Sequence, residues 1–206
     1  MIPRLGGVVL CGGKSSRMGR PKAWLPFDGE PLLLRILRRV ANVCDPLIVV
    51  AASGQEVPDL GPGVSLVCDA LPGRGPLQGL LAGLSALSGR AEAAFVCATD
   101  APHLHPELVR RLHALRVEGD HDIVVPRAQG HQHPLTAIYR TSVRSVVAEL
   151  LDQDLRRPFF VLERCNTRFV TEADLLAGDA LFAADPQLLS LRNINTPEDY
   201  EAALRI

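Results

Sequence analysis

Apolar residues along this chain fall into short unbroken runs, separated by longer stretches where they recur every three or four positions. The runs 5-LGGVVL-10, 46-PLIVVAA-52, 64-VSLVC-68, 93-AAFVCA-98 and 121-HDIVVP-126 have strand length, little alternation and turn residues at both ends. A strand without polar alternation is apolar toward both faces, so something must cover both. The stretches 31-PLLLRILRRVANVC-44, 76-PLQGLLAGLSALSG-89 and 104-LHPELVRRLHALRVEG-119 carry the helical period, with cations toward the helix ends. This alternation predicts a three-layer α/β/α architecture around a mostly parallel, Rossmann-like sheet.

After Arg140 the regularity fades. A helix is expected over 141-TSVRSVVAELLDQ-153, then a mixed region holding Pro158, Gly178 and Pro186. A further helix, 197–206, is announced by Thr196 as cap, Pro197 at the first helical position and Glu198 in the first turn. No repeat or linker interrupts the chain, so residues 1–206 are expected to form a single domain.

Composition narrows the function classes. The 206 residues are 47% hydrophobic and 22% charged with a net charge of −1, so no global field recruits nucleic acid or a membrane surface. An anionic ligand must be met by a local cluster. No apolar run approaches membrane-spanning length, and 1-MIPRLGG-7 makes a poor signal peptide, so a cytoplasmic location is expected. The cysteines Cys11, Cys44, Cys68, Cys97 and Cys165 are widely spaced with no CxxC, which argues against structural zinc. Cys68 and Cys97, inside apolar runs, read as small core residues.

The cluster that could meet an anion lies in 10-LCGGKSSRMGRPKAWLPFDGEPLL-33. Lys14, Arg17, Arg20 and Lys22 stand where nothing apolar anchors them, directly after the first strand. In open parallel sheets, ligands bind beyond the carboxyl ends of the strands. The segment satisfies neither the Walker spacing nor GxGxxG. Adjacent glycines Gly12 and Gly13 nevertheless let backbone N–H groups converge on one anion, with Ser15 and Ser16 as hydroxyl donors. Arg17 and Lys22 can neutralise a triphosphate, while Lys14 and Arg20 read as solvated helpers. The plainer alternative is a solvated turn.

A second feature selects between these. The strand in 95-FVCATDAPHL-104 ends on Asp100, expected on the same sheet edge. A carboxylate beside a triphosphate is unfavourable unless a hard cation lies between them, as Mg²⁺ held by carboxylate and phosphate oxygens would. A turn-capping aspartate is the alternative. Asp69, in 66-LVCDALPGRGPLQGLLAGL-84, also closes an apolar strand and also fits ordinary turn chemistry. His131 and His133 lack a nearby third ligand for a metal.

These motifs resemble the MobA-like nucleotidyltransferases. The match runs through Leu10, Gly12, Gly13, Ser15, Arg17, Met18, Gly19, Lys22, Leu25, Gly29, Pro31 and Leu32, with Cys11 in place of the usual alanine. It continues through Asp69, Gly75, Pro76, Leu77 and Gly79, through Asp100, through His133, Pro134, Ala137, Ile138 and Tyr139, and through 192-RNINTPEDYEAAL-204. From Leu150 to Ser190 it is weak. Trp24 is bulkier than the pattern suggests, and 49-VVAASG-54 lacks an asparagine that the family often carries there.

The resemblance implies the nucleotidyltransferase (nucleotide-diphospho-sugar transferase) fold. It implies transfer of GMP from GTP to the terminal phosphate of molybdopterin, with pyrophosphate released. On it, Leu10, Cys11, Gly12, Gly13, Lys14, Ser15, Lys22, Asp69, Gly75, Pro76 and Asp100 bind nucleotide; Arg17, Lys22 and Asp100 carry catalysis; and Asp100 holds Mg²⁺. His133, Asn193 and Asn195 fall on the acceptor side, Asn193 being the stronger of the two asparagines because capping accounts for part of Asn195. A structural histidine remains open for His133. Molybdenum-cofactor biosynthesis proteins or apo-molybdoenzymes would be transient partners. Gly12, where cytidylyltransferases of the family tend to have alanine, leans the base toward guanine. The competing readings are CTP in place of GTP, a sugar or alcohol phosphate as acceptor, and a non-catalytic nucleotide-binding or cofactor-binding module.

Overall fold

The computed structural model describes residues 4–12, 18–69 and 75–206. In chain order come β1 (Leu5–Leu10), a single 3₁₀ turn at Lys22–Trp24, a small hairpin of β2 (Pro26–Phe27) and β3 (Glu30–Pro31), and α1 (Leu32–Ala41). There follow β4 (Leu47–Ala52), β5 (Val64–Asp69), α2 (Pro76–Ala86), β6 (Ala93–Ala98) and α3 (Pro106–Gly119). Then come β7 (Ile123–Ala128), β8 (His131–Gln132), β9 (Thr136–Arg140), α4 (Arg144–Asp152) and α5 (Phe159–Arg164). Last come β10 (Thr167–Thr171), α6 (Glu172–Leu176), α7 (Asp179–Ala184) and α8 (Pro197–Ala203), with further 3₁₀ turns at Thr141–Val143 and Leu189–Leu191.

The sheet order is β10-β7-β9-β6-β1-β4-β5, with β8 attached to β7. β1 pairs in parallel with β4 on one side and β6 on the other, so the chain reverses its direction of travel across the sheet at β1. That reversal opens a crevice at the carboxyl edge, the expected ligand position in such sheets. β9 runs antiparallel between β6 and β7. A parallel pair needs a long crossover, whereas the two-residue connection Gln129-Gly130 between β7 and β8 permits only a tight hairpin. Both residues have positive φ, 54° and 77°, as such a turn requires.

The missing alternation in the strands is explained by two buried clusters, one on each face. Val9 of β1 packs with Ile36 of α1, Leu112 of α3, Leu175 of α6, Leu181 of α7 and Tyr200 of α8. Val8 and Leu10 pack with Leu80 and Leu84 of α2, Val147 of α4 and Val161 of α5. The five expected strands and the main helices are present; the strand expected at 121–126 is displaced to Ile123–Ala128. The irregular region after residue 150 resolves into α5, β10, α6 and α7. One expectation fails: Cys97 is buried, but Cys68 is exposed. β5 is an edge strand of the sheet, partly open to solvent along its length.

Close contact between α2 and β1 depends on Gly83. A Cβ there would lie 2.4 Å from Val8 Cγ1, and the β-branched valine has little rotamer freedom to yield. Gly83→Ala is therefore expected to destabilise the protein by about 1–3 kcal/mol despite alanine's better helix propensity, read as a lower midpoint in chemical denaturation.

Candidate active site

The carboxyl edge is built outward from β1. Cys11 N–H donates to the Val50 carbonyl at 2.7 Å, extending the β1–β4 ladder by one bond past the strand. On the other side, Thr99 donates to the Leu10 carbonyl through its N–H (3.2 Å) and its hydroxyl (3.0 Å). Thr99 is buried, so this double tie fixes Asp100 beside the end of β1. Two further bonds hold the segment after β6. The Ile194 N–H donates to the Asp100 carbonyl at 2.8 Å, and Arg35 Nε donates to the Pro102 carbonyl at 2.8 Å. Arg35 is itself buried, paired with Asp28 at 2.7 Å and lying over the Phe27 ring at 4.7 Å.

Three side chains from distant parts of the sequence meet here. Lys22 Nζ lies 3.3 Å from Asp100 Oδ2 and donates to Asn195 Oδ1 at 3.1 Å. Lys22 and Asp100 are both largely shielded, at 19% and 18% side-chain exposure, so the pair interacts through little solvent. Burial pushes the Asp100 carboxyl above its ordinary pKa, and Lys22 opposes that shift. Asn195 reaches Lys22 because the following turn is rigid: Thr196 and Asp199 form a capping box on α8, and Asp199 also accepts from the Asn195 N–H.

Other expected positions sit around this centre. Asp69 closes β5 directly opposite Ala52, on the same edge but on the far side of β4. Gly75, with φ of 81°, caps α2, and Pro76 opens it. Gly12 is not demanded by the fold: its φ is unexceptional, and a Cβ would meet Ala52 N at 3.5 Å and the Ala51 carbonyl carbon at 4.0 Å, both ordinary contacts. Gly13, Lys14, Ser15 and Arg17 lie outside the described residues. His133 lies in the β8–β9 connection on this edge and bonds its own hairpin at the Ala128 carbonyl (3.3 Å). Burial lowers its pKa, favouring the neutral ring. Asn195 rather than Asn193 makes the contact with Lys22, and both asparagines are exposed.

Two residues receive roles that residue type did not suggest. Arg20 is exposed, as read, and its guanidinium also lies over the Tyr200 ring at 5.9 Å, while the Tyr200 hydroxyl donates to the Pro26 carbonyl. Trp24 is 46% exposed, and its indole N–H donates to the Glu56 carbonyl at 3.2 Å. It thereby ties the turn carrying Lys22 to the β4–β5 connection.

A reversal point in a mostly parallel sheet, with a cation and a shielded carboxylate on its carboxyl edge, is where proteins of this architecture bind their ligands. Comparison with known proteins narrows the class. Residues 7–166 match the MobA-like NTP transferase domain, and the chain belongs to that family. A probable molybdenum cofactor guanylyltransferase of Mycobacterium avium is 34% identical over 202 residues, 97% of this chain and 94% of that protein. The fold resembles that of molybdopterin-guanine dinucleotide biosynthesis protein A from Archaeoglobus fulgidus, with a TM-score of 0.76, 24% identity and coverage of 98% and 97%. A Mycobacterium tuberculosis protein solved as a complex with manganese shares the fold at a TM-score of 0.65 and 18% identity, covering 98% of each chain. No helix among the described residues is long and apolar enough to cross a membrane.

Proposed function

We propose that this chain transfers GMP from GTP to the terminal phosphate of molybdopterin, forming the guanine dinucleotide cofactor and releasing pyrophosphate. The observation that carries the reading is the convergence of Lys22, Asp100 and Asn195 at one point of the sheet edge, in a family of NTP transferases. One cation faces the triphosphate side, one carboxylate sits at the reacting centre, and one amide comes from the segment expected to hold the acceptor. Residues 1–206 act as one domain, since Val170, Leu175, Leu181 and Tyr200, beyond the matched region, share a core with β1 and α1.

The residues present fit a divalent ion that takes part of its oxygens from phosphate. Among the described residues no group of three or more His, Cys, Asp or Glu could cage a metal, but Asp100 offers a shielded carboxylate with a raised pKa. That is the donor set Mg²⁺ uses with nucleotide substrates. When bound at Asp100, the ion supplies charge neutralisation for the triphosphate and the departing pyrophosphate.

The chain's own residues position and neutralise. Lys22 turns from Asp100 toward the phosphate oxygens as nucleotide enters, exchanging one anionic partner for another. Arg17 adds a planar fork to the same phosphates, and the backbone from Gly12 to Ser15 donates N–H groups. Asn195, together with Asn193 and His133, orients the acceptor so that its phosphate oxygen attacks the α-phosphorus in line. Holding two anionic reactants in that geometry is the larger part of catalysis here, because no covalent intermediate is needed.

The test is pyrophosphate release from purified protein incubated with Mg²⁺, molybdopterin and each of the four NTPs. GTP should be strongly preferred, with release dependent on molybdopterin. Release supported by a sugar or alcohol phosphate instead, or by no acceptor, overturns the assignment. Base choice is read separately with Gly12→Ala. The added methyl fits the folded chain, so a lost preference reports on the nucleotide: the GTP-to-CTP ratio of kcat/KM should fall about 10-fold. An unchanged ratio places base selection elsewhere.

A further inference from the structure

We propose that Gln55 is a positioning residue for the nucleoside end of the nucleotide: its side-chain amide replaces a rung of the β1–β4 ladder and holds the two strand ends apart beside Gly12. The inference rests on the nucleotidyltransferase reading and adds to it the part of the site that sets the width of the base-binding edge.

The parallel ladder between β1 and β4 is regular through Leu10 and Val50, and Cys11 N–H still donates to the Val50 carbonyl. Parallel pairing would next place the Ala52 N–H on the Cys11 carbonyl. Instead both groups are taken by Gln55. Ala52 N–H donates to Gln55 Oε1 at 3.2 Å, and Gln55 Nε2 donates to the Cys11 carbonyl at 3.0 Å, with Cys11 Sγ at 3.3 Å. One backbone donor and one backbone acceptor leave the amide a single orientation that satisfies both. The Gln55 amide therefore stands between the two backbone groups that would have made the next rung, beside Gly12.

The local sequence builds this insertion. Gln55 N–H donates to the Ala52 carbonyl at 3.0 Å, closing a turn in which Gly54 has φ of 73°. That left-handed residue brings the chain back over the strand it has just left, so the side chain of Gln55 points at the ladder. Trp24 holds the same turn from outside through the Glu56 carbonyl. Phosphate end and nucleoside end are thus connected by one short path, from Lys22 through Trp24 and Glu56 to Gln55 and Cys11. The nucleoside end is assigned by position. Gly12, Ala52 and Asp69 share the β1-β4-β5 side of the edge, whereas Lys22 and Asp100 lie on the β1-β6 side.

Gln55→Met keeps length and removes both bonds; Gln55→Ala lets the rung close. Each should raise the KM for GTP roughly 10-fold and lower the GTP-to-CTP ratio similarly, with kcat little changed. Inhibition by inorganic triphosphate, which has no base, should stay within about 2-fold of the parent protein, a pattern that a general loss of structure cannot produce. An unchanged KM and ratio in either folded variant overturns the proposal, as does an equal loss in inorganic triphosphate binding. If the parent protein releases no pyrophosphate with molybdopterin, the proposed reaction fails on its own. Equilibrium binding of GTP and of inorganic triphosphate to the parent protein and Gln55→Met then decides the role of Gln55 by the same contrast.

Discussion

Asp100→Ala is expected to lower pyrophosphate release by about 1000-fold or more while leaving a folded protein, the scale on which removal of a principal charge-stabilising group acts. The backbone around Asp100 is held by groups the substitution does not touch: Thr99 on the Leu10 carbonyl, Ile194 on the Asp100 carbonyl and Arg35 on the Pro102 carbonyl. Burial already disfavours the ionised carboxyl, so its removal relieves a cost even as Lys22 loses a partner. Lys22 retains Asn195. The denaturation midpoint should therefore move little, by the equivalent of about 1 kcal/mol or less. A folded variant with normal turnover would remove the carboxylate from the reacting centre. Asp100→Asn separates charge from shape, because it keeps a side chain of the same size yet cannot supply an anionic ligand. It should be nearly as inactive.

Lys22→Met carries the second large effect, about 100-fold in kcat/KM, divided between a higher KM for nucleotide and a lower kcat. The division follows from the two partners of the ammonium group. Its charge contributes to holding the triphosphate before reaction, which raises KM when lost. It also opposes the charge that grows on the departing pyrophosphate, which lowers kcat. Lys22→Arg should recover little of either, because the bulkier planar guanidinium cannot follow the path of a compact ammonium from its place 3.3 Å from Asp100 and 3.1 Å from Asn195 to the phosphate oxygens. Kinetics equal to the parent protein in Lys22→Met would demote this lysine to a surface charge.

Much of this site was legible in the residue pattern because it depends on strand ends. A buried parallel strand must be apolar on both faces, so the first acidic residue after it marks the sheet edge. That logic found Asp69 and Asp100, and the anion chemistry of the loop found Lys22. Three features escaped it for physical reasons. Lys22 and Asn195 are 173 positions apart, and nothing local in either segment signals the other. Gln55 belongs to no motif; only the left-handed turn at Gly54 directs it back to the ladder, and the Ser53-Gly54 pair was the available signal. Arg20 is exposed as expected, but its contact with the Tyr200 ring was not legible because that ring belongs to a helix far along the chain. Cys68 was misplaced for the opposite reason. An apolar run does not reveal whether its strand is central or at the edge, and β5 lies at the edge.

The meeting of Lys22 with Asp100 and Asn195, across 78 and 173 positions, also bears on how the molecule acquires its activity. Contacts between residues so distant form only after the intervening chain has lost most of its freedom, and they contribute little to any partly ordered state. Helices and neighbouring strands can assemble earlier without bringing these three side chains together. On the proposed roles, catalytic competence is accordingly a property of the completed fold, and enzyme activity recovered from denaturant should be a stricter gauge of native structure than the return of its helical signal.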